Sequence, residues 1–159
     1  MRILGIDYGT KRIGVAISDE LGFTARGIAT IMRRSRQQVI KEIEEIARAY
    51  GAERIVLGYP VRLDNTEGVQ CEKTKAFSRI LSEALSLPVI LQDEALTTKE
   101  AEEILRKVNV RKTRRKEVVD RLAAALILQH YLDSMSSRGK IKASRDGEVY
   151  EDRSLSSET

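Results

Sequence analysis

The first third of the chain carries short apolar runs separated by polar turns. Ile3–Ile6 and Ile13–Ser18 flank a polar turn that contains glycine, and Phe23 to Ile31 provides a third run of similar character. Short apolar runs rich in β-branched residues, joined through such turns, are typical of hairpin strands. We therefore predict that the chain opens with an antiparallel meander of three strands.

The next segment changes to helical spacing. It lies between Ser35, a good N-cap residue, and Gly51, a good C-terminal stop. The apolar residues on its inner face are Val39, Ile43, Ile46 and Tyr50. This spacing of three to four residues predicts an amphipathic helix.

The remaining pattern alternates between strands and helices. Ile55–Leu57 and Val89–Leu91 are short apolar runs that predict buried strands, and the segment between them has helical spacing up to Pro88. Thr97 is placed to cap a third helix. The last helix is expected from about residue 117 to residue 133.

This order of elements predicts an α/β fold. We expect a five-stranded mixed sheet, made of the antiparallel three-strand meander plus two parallel strands, with helices on both faces. Residues 1–135 form one folded domain in this interpretation. Residues 136–159 are rich in serine and charge and poor in apolar residues, which predicts a flexible charged tail.

Composition narrows the class of protein. The 159 residues are 42% hydrophobic and 33% charged, which is typical of one packed domain with a charged surface. No apolar run approaches the roughly 20 residues needed to cross a bilayer, and the N-terminus lacks the pattern of a signal peptide. We therefore expect a cytoplasmic protein without membrane contact. The single cysteine, Cys71, excludes an intramolecular disulfide and a cysteine-based zinc site.

Acidic residues occupy three positions that are poor choices for structure alone. Asp7 ends the first apolar strand, Asp93 and Glu94 end the fifth, and Asp120 interrupts the most apolar helix. A carboxylate that faces apolar surroundings costs several kcal/mol unless it is paired or binds a metal. A single acid at a strand end is usually a cap or a solvated residue, and Asp120 has Arg121 or a nearby lysine as an alternative partner.

The three positions acquire a common explanation if they converge in space. Ligands bind at the ends of strands in sheets of this type. A pocket of carboxylates alone is suited to a hard cation, Mg²⁺ or Mn²⁺. Paired ions of this kind hydrolyse phosphodiesters by activating water and stabilising the leaving oxygen. The acids therefore favour a metal-dependent nuclease.

Basic residues lie next to these acids in sequence. The net charge is +4, and the positions expected to contact a nucleic-acid backbone are Lys11, Arg12, Arg111, Lys112, Arg114, Arg115 and Lys116. A further cluster, Arg33–Arg36, precedes the first helix. With aromatic residues at only 4% and no tryptophan, recognition through shape or backbone is favoured over base stacking. The alternative is a solvated charge run.

Four segments, in order, match the pattern of a known family. They are Leu4–Ser18, Val56–Pro60, Asp93–Thr98 with Ala101, and Asp120–Ala124 with Ile127–Gln129. In these segments the chain resembles the YqgF/RuvX family of Holliday junction resolvases and pre-16S ribosomal RNA nucleases, which have a ribonuclease H-like fold.

The resemblance implies that Asp7, the Asp93–Glu94 pair and Asp120 are the catalytic acids. Neighbouring strand residues point to opposite faces, so one member of the pair faces the site, and the sequence leaves open which. Our choice for the Mg²⁺ or Mn²⁺ ligands is Asp7, Glu94 and Asp120. The chain departs from the family where it has Ala95 in place of arginine and Tyr59 in place of leucine.

Several functions remain open from the sequence. The leading hypothesis is an endonuclease that processes the 5′ end of pre-16S ribosomal RNA, and the first alternative is a Holliday junction resolvase. A non-catalytic nucleic-acid-binding or ribosome-assembly factor is a second alternative. An actin-like ATP-binding phosphotransferase shares the Asp-x-Gly-Thr turn, but the chain is too short for the usual two-domain form. The expected partners are structured RNA or branched DNA, bound by a monomer or a homodimer, and symmetric cutting would require a dimer.

Overall fold

A computed structural model describes residues 1–59, 68–93, 103, 104, 106 and 112–147, without the side chains of residues 70, 112–115 and 137–147. The strands are β1 (Arg2–Tyr8), β2 (Arg12–Ser18), β3 (Ala25–Met32), β4 (Ala52–Tyr59) and β5 (Val89–Asp93), and the helices are α1 (Arg36–Tyr50), α2 (Val69–Leu85) and α3 (Lys112–Gly147). The third helix expected after Thr97 falls almost wholly outside the described residues.

The five strands form one sheet in the order β3-β2-β1-β4-β5. β1, β2 and β3 pair in an antiparallel meander, whereas β4 and β5 run parallel to β1. The predicted mixed sheet is therefore confirmed. β4 begins three residues earlier than the apolar run at Ile55 suggested, because main-chain pairing with β1 extends into the polar residues before it.

The two faces of the sheet are packed in different ways. One face carries large aliphatic side chains that bury against α1 and α2 in a continuous core. Its main members are Leu4, Ile6, Ile13, Val15, Ile17, Ile31, Val39, Ile43, Ile55, Leu57, Phe77 and Leu81. The other face is lined by small residues and lies against α3, whose Leu128 and Ala124 contact Gly5. Strand alternation thus creates a thick apolar layer on one side and a close helix–sheet contact on the other.

Helix α1 has the ends that the sequence predicted. Ser35 accepts a hydrogen bond from the Gln38 amide, and the Gln38 side chain bonds back to the Ser35 amide, which completes a capping box. Gly51 ends the helix in the left-handed conformation, with φ of 66°.

Helix α3 is longer than predicted at both ends. It begins at Lys112 and continues to Gly147, whereas the sequence pattern suggested about residues 117 to 133. Residues 112–116 and 134–147 include no proline, so helical hydrogen bonding can continue through them. Apolar periodicity marked only the part of the helix that is buried. The division into a domain over 1–135 and a tail from 136 stays a prediction.

The chain divides into two compact units, the first of which is Met1–Gln129, and every contact described below lies within that unit. Of the second unit, which begins at His130, the structure describes the backbone as far as Gly147. Among the residues described, no helix has the length and apolar character needed to span a bilayer.

Candidate functional site

Asp7 lies near the C-terminal end of β1, on the sheet face that packs against α3. Its partner across the β1–β2 ladder is Gly14. Cross-strand partners hold their side-chain positions about 5 Å apart on the same face of a sheet. The space beside Asp7 is therefore the space above Gly14, which has no side chain of its own.

Helix α3 fills that space with the backbone of Asp120. A Cβ atom added at Gly14 would lie 1.9 Å from the carbonyl oxygen of Asp120 and 3.2 Å from its Cα. The helix therefore rests on the bare backbone of β2 at this point. Asp7 and Asp120, which are far apart in sequence, therefore lie on the same face of the sheet. Asp120 packs over Gly14, and Gly14 is the cross-strand partner of Asp7.

The Asp120 side chain is held by Arg12. The Nε atom of Arg12 donates to Oδ2 of Asp120 over 2.7 Å, and the two side chains are only 25% and 15% exposed. The sequence suggested Arg121 as a partner for Asp120, but Arg121 instead contacts the Thr30 hydroxyl at 3.4 Å. Arg12, expected to contact nucleic acid, supplies a partner to the acid.

Asp93 lies on the other face of the sheet. It pairs with Tyr59 in the parallel β4–β5 ladder, two residues beyond the Leu57–Leu91 pair. Leu57 belongs to the apolar core under α1 and α2. By strand alternation, Asp93 is therefore on the face opposite Asp7. Glu94, like Ala95, lies outside the described residues.

The potential metal ligands within the described residues do not amount to a complete site. In residues 1–59, 68–93 and 112–147, no three aspartates, glutamates, histidines or cysteines form a group able to hold an ion. Asp7 and Asp120 are the two predicted acids that the structure brings to one face.

The predicted basic residues fall into three groups. Lys11 is exposed in the β1–β2 turn, and Lys116 is exposed on α3. Arg12 pairs with Asp120. Lys112, Arg114 and Arg115 lie in the first turns of α3, with side chains outside the description, and Arg111 precedes the described helix.

Two features of the site were not assigned by sequence reasoning: the Arg12–Asp120 pair and the approach of α3 to bare strand backbone. The close approach of α3 could have been inferred from the glycines, which recur at positions that face the same side of the sheet. Gly5, Gly14 and Gly27 occupy one face of three neighbouring strands, and a Cβ atom at any of them would meet α3 within 3 Å. No sequence signal joins Arg12 to Asp120, because 108 residues separate them.

Comparison with known proteins identifies the family to which the chain belongs. The family model described as "RuvX: Holliday junction resolvase" matches residues 1–134. The chain belongs to the RuvX family. A relative from Syntrophus aciditrophicus is 58% identical over 136 residues, which cover 86% of this chain and 91% of that protein. A relative from Agathobacter rectalis is 49% identical over 140 residues, covering 86% of this chain and 98% of the relative. Both carry the name "Putative pre-16S rRNA nuclease".

Solved structures place this RuvX chain in the ribonuclease H-like fold, as predicted. Thermus thermophilus RuvC in complex with a Holliday junction substrate superposes with a TM-score of 0.55 at 17% identity, over 86% of this chain and 96% of RuvC. The fowlpox virus Holliday junction resolvase gives a TM-score of 0.51 at 15% identity, over 84% of this chain and 99% of that chain. At these identities the likeness concerns the fold. Membership of the RuvX family removes the basis for the phosphotransferase hypothesis.

Proposed function

We propose that this protein is a metal-dependent endonuclease that hydrolyses phosphodiester bonds in nucleic acid, with pre-16S ribosomal RNA as its substrate. Asp7, Glu94 and Asp120 hold Mg²⁺ or Mn²⁺ in this proposal. The observation that carries it is the approach of α3 to β2, which sets Asp120 against Gly14, directly opposite Asp7 in the ladder.

The donor chemistry fits a hard divalent cation. Asp7 and Asp120 offer only carboxylate oxygens, which are the ligands that Mg²⁺ and Mn²⁺ prefer. Glu94 lies outside the described residues, and its place as the third ligand rests on the family resemblance and on its position directly after β5 in the sequence. When bound, such ions supply an activated water and neutralise the charge that develops on the phosphate.

The protein's own contribution is to position these acids. Gly14 sets the distance of Asp120 from the sheet, because the backbone of α3 packs directly on the backbone of β2 at this residue. Arg12 holds the carboxylate of Asp120 through Nε and keeps its charge compensated before substrate binds. The Lys11 ammonium in the adjacent turn is available to the phosphate backbone of the substrate.

The two candidate substrates have different support. The relatives from S. aciditrophicus and A. rectalis, aligned over 91% and 98% of their length, are named for pre-16S rRNA, which favours RNA. The description of the family model names a Holliday junction resolvase, which favours branched DNA. We place RNA first because the similarity to whole relatives reaches 58% identity.

The decisive experiment is a cleavage assay with the purified full-length protein. A structured RNA that contains the 5′ precursor of 16S ribosomal RNA is compared with a four-way DNA junction, each with Mg²⁺, with Mn²⁺ and with a chelator. We expect cleavage of the RNA only when a divalent ion is present. Preferential cutting of the junction would transfer the assignment to the resolvase.

Two variants separate chemistry from folding. Asp7→Asn keeps the shape of the side chain and removes its charge, and we expect a loss of more than about a hundredfold in cleavage, because even outer-sphere changes at metal sites cost 10–100-fold. Glu45→Gln removes one negative charge from an exposed position of α1 and serves as the matched control. If the two variants cut equally well, the nuclease site is not at Asp7. Binding to RNA without any metal-dependent cutting by the wild type would favour the non-catalytic assembly factor.

A further inference from the structure

A cleft of about 380 Å³ opens at the end of β1, on the sheet face opposite Asp7. It lies between the β1–β2 turn, the start of α1 and the middle turns of α2, and we call it the basic cleft. Its lining includes Tyr8, Thr10, Arg33, Arg36, Lys73 and Phe77. The function proposed above makes no use of it.

Within the part of the chain that the structure describes, the positive charge of the basic cleft has no acidic partner. Three of its lining residues are cations, and no carboxylate is found among the described residues that line it. Arg36 and Lys73 form no ion pair with any residue for which the structure gives a side chain. Neighbouring cations behave differently, since Arg34 pairs with Glu42 at 3.6 Å, outside the cleft. A concave surface with several unpaired cations favours an anionic ligand.

Arg33 is oriented before any ligand arrives. Its Nη1 atom donates to the carbonyl oxygen of Gly9 over 2.7 Å, and its Nη2 atom donates to the Tyr8 hydroxyl over 2.9 Å. Both acceptors are neutral, so these bonds hold the guanidinium group without cancelling its charge. A fixed guanidinium loses less entropy when it binds an oxyanion than a free one does.

The aromatic surface of the basic cleft is already covered. The Tyr8 ring stacks on Phe77, with 4.1 Å between the ring centroids and 7° between the planes. The Arg33 guanidinium carbon lies 4.5 Å from the centroid of the same Tyr8 ring, and two groups cannot share one face. No face of Tyr8 is left for a nucleobase, so the cleft offers its ligand charge and hydrogen bonds.

The position of Arg36 points to an anion as well. It is the first residue of α1, whose first turn contains no acid. The positive end of a helix dipole disfavours a cation at this position by a few tenths of a kcal/mol to about 1 kcal/mol. A bound oxyanion would relieve this repulsion.

We propose that the basic cleft binds a phosphate group of the nucleic-acid strand that the enzyme cuts, on the other side of β1 from the acids. This inference rests on the proposed nuclease function. Asp7 and Tyr8 are consecutive in β1 and belong to opposite faces. A strand that bends over the β1–β2 turn, past Lys11, reaches both sites. The cleft thus holds the substrate strand at a phosphate away from the scissile bond.

The test measures binding in the presence of a chelator, so that it does not depend on cleavage. A short single-stranded RNA is titrated into wild-type protein and into the Arg36→Gln/Lys73→Gln double variant over a range of salt concentrations. We expect several-fold weaker binding and a salt slope smaller by about 0.7 to 1, the loss of one phosphate contact.

The matched control is the Lys41→Gln/Arg79→Gln double variant. It makes the same change in net charge at exposed positions of α1 and α2 outside the basic cleft. Binding by the control should match the wild type. Equal weakening in the two double variants, or no weakening in either, would overturn the cleft proposal. The Asp7→Asn cleavage result is independent of this outcome, so a failure of the cleft and a failure of the nuclease assignment are distinguishable.

A second arm identifies the source of the phosphate. Inorganic phosphate and adenosine monophosphate are titrated into the same proteins. We expect both to bind far more weakly than the RNA, because a substrate strand makes further contacts. Tight binding of the mononucleotide that is lost in Arg36→Gln/Lys73→Gln would overturn the assignment to the substrate strand and identify a site for a free nucleotide.

Discussion

The Nε atom of Arg12 donates to Oδ2 of Asp120 over 2.7 Å and joins residues 108 positions apart. Both side chains are mostly shielded from water. A hydrogen bond between charged groups in such surroundings is stronger than one at the surface. Arg12 therefore competes with any cation for the carboxylate that the proposed chemistry requires.

Replacing Arg12 should strengthen metal binding while weakening the metal-free fold. In Arg12→Gln we expect a loss of about 1 to 3 kcal/mol in the free energy of unfolding without metal, because Asp120 loses a charged partner. The Mg²⁺ concentration that gives half-maximal thermal stabilisation should fall about tenfold, since a nearby positive charge no longer opposes the ion. Lys11→Gln, an exposed neighbour, is the control. A higher Mg²⁺ requirement in Arg12→Gln would contradict the competition.

Filling the space above Gly14 should displace Asp120. The new methyl group of Gly14→Ala would overlap the Asp120 carbonyl, and overpacking of this kind costs about 1 to 3 kcal/mol. We expect a lower melting temperature together with a loss of metal-dependent cleavage. Gly22→Ala is a useful comparison, because that site has open space and a φ of 76°. It should lose stability through backbone strain and keep its cleavage activity. Full activity in folded Gly14→Ala would contradict the proposed role of this contact.

Asp93 and Asp7 should differ in their importance for cleavage. Asp93 pairs with Tyr59 on the core face, so Asp93→Asn is expected to keep most of the activity that Asp7→Asn loses. Glu94→Gln should resemble Asp7→Asn if Glu94 is the third ligand. The measurement is the rate of RNA cleavage at saturating Mg²⁺ for the three variants side by side. An inactive Asp93→Asn with an active Glu94→Gln would reverse the choice between the two neighbours.

The β2–β3 turn should contribute a pH-dependent part of the stability through Asp19. The Thr24 amide, with the Phe23 amide, bonds to Oδ1 and holds the pKa of the Asp19 carboxyl below its ordinary value. A lowered folded pKa stabilises the protein above the unfolded pKa of about 3.9, and this contribution disappears as the pH falls through the folded pKa. The stability gap between wild type and Asp19→Asn should therefore be constant near neutral pH and shrink below about pH 4. Urea unfolding at several pH values measures it, with Glu45→Gln as control. A gap that widens in acid would refute the assignment.

The capping box of α1 should carry measurable stability. Ser35→Ala removes the oxygen that accepts from the Gln38 amide, at a cost of about 1 kcal/mol. For a chain of this size the melting temperature should fall by about 3 °C. Ser78→Ala is the control, since its hydroxyl only bonds back to the Lys75 carbonyl within α2. Equal effects of the two substitutions would indicate that the cap adds nothing beyond a local hydrogen bond.

The parts of the fold that follow from local rules could be predicted from the sequence. Strand alternation and turn chemistry indicated the meander, and Ser35 and Gly51 indicated the ends of α1. The start of α3 could not be found in this way. Its first residues are basic and exposed or undescribed, so they contribute helix propensity without apolar periodicity.

The sequence predicted which residues belong to the candidate site. It did not predict how those residues are arranged or which of them pair. A carboxylate within an apolar run requires a positively charged partner or a metal ion, and this requirement singled out Asp7 and Asp120. The partner that meets this need depends on tertiary packing, and the choice of Arg12 over Arg121 follows from where α3 crosses β2. The face occupied by Asp93 required the register of β4 against β5. These relationships join distant parts of the chain, and no local pattern encodes them.

The contrast between the two sides of the sheet has a consequence for how this protein tolerates change. The side under α1 and α2 is built from interlocking aliphatic groups, which can be exchanged for others of similar volume at modest cost. On the α3 side, the strand backbone at Gly14 and Gly27 packs directly against α3, and these positions have no side chain that a substitution could make smaller. Redesign of the aliphatic layer can therefore alter the melting temperature without changing the spacing between Asp7 and Asp120. Thermal stability and catalytic activity can thus be adjusted independently.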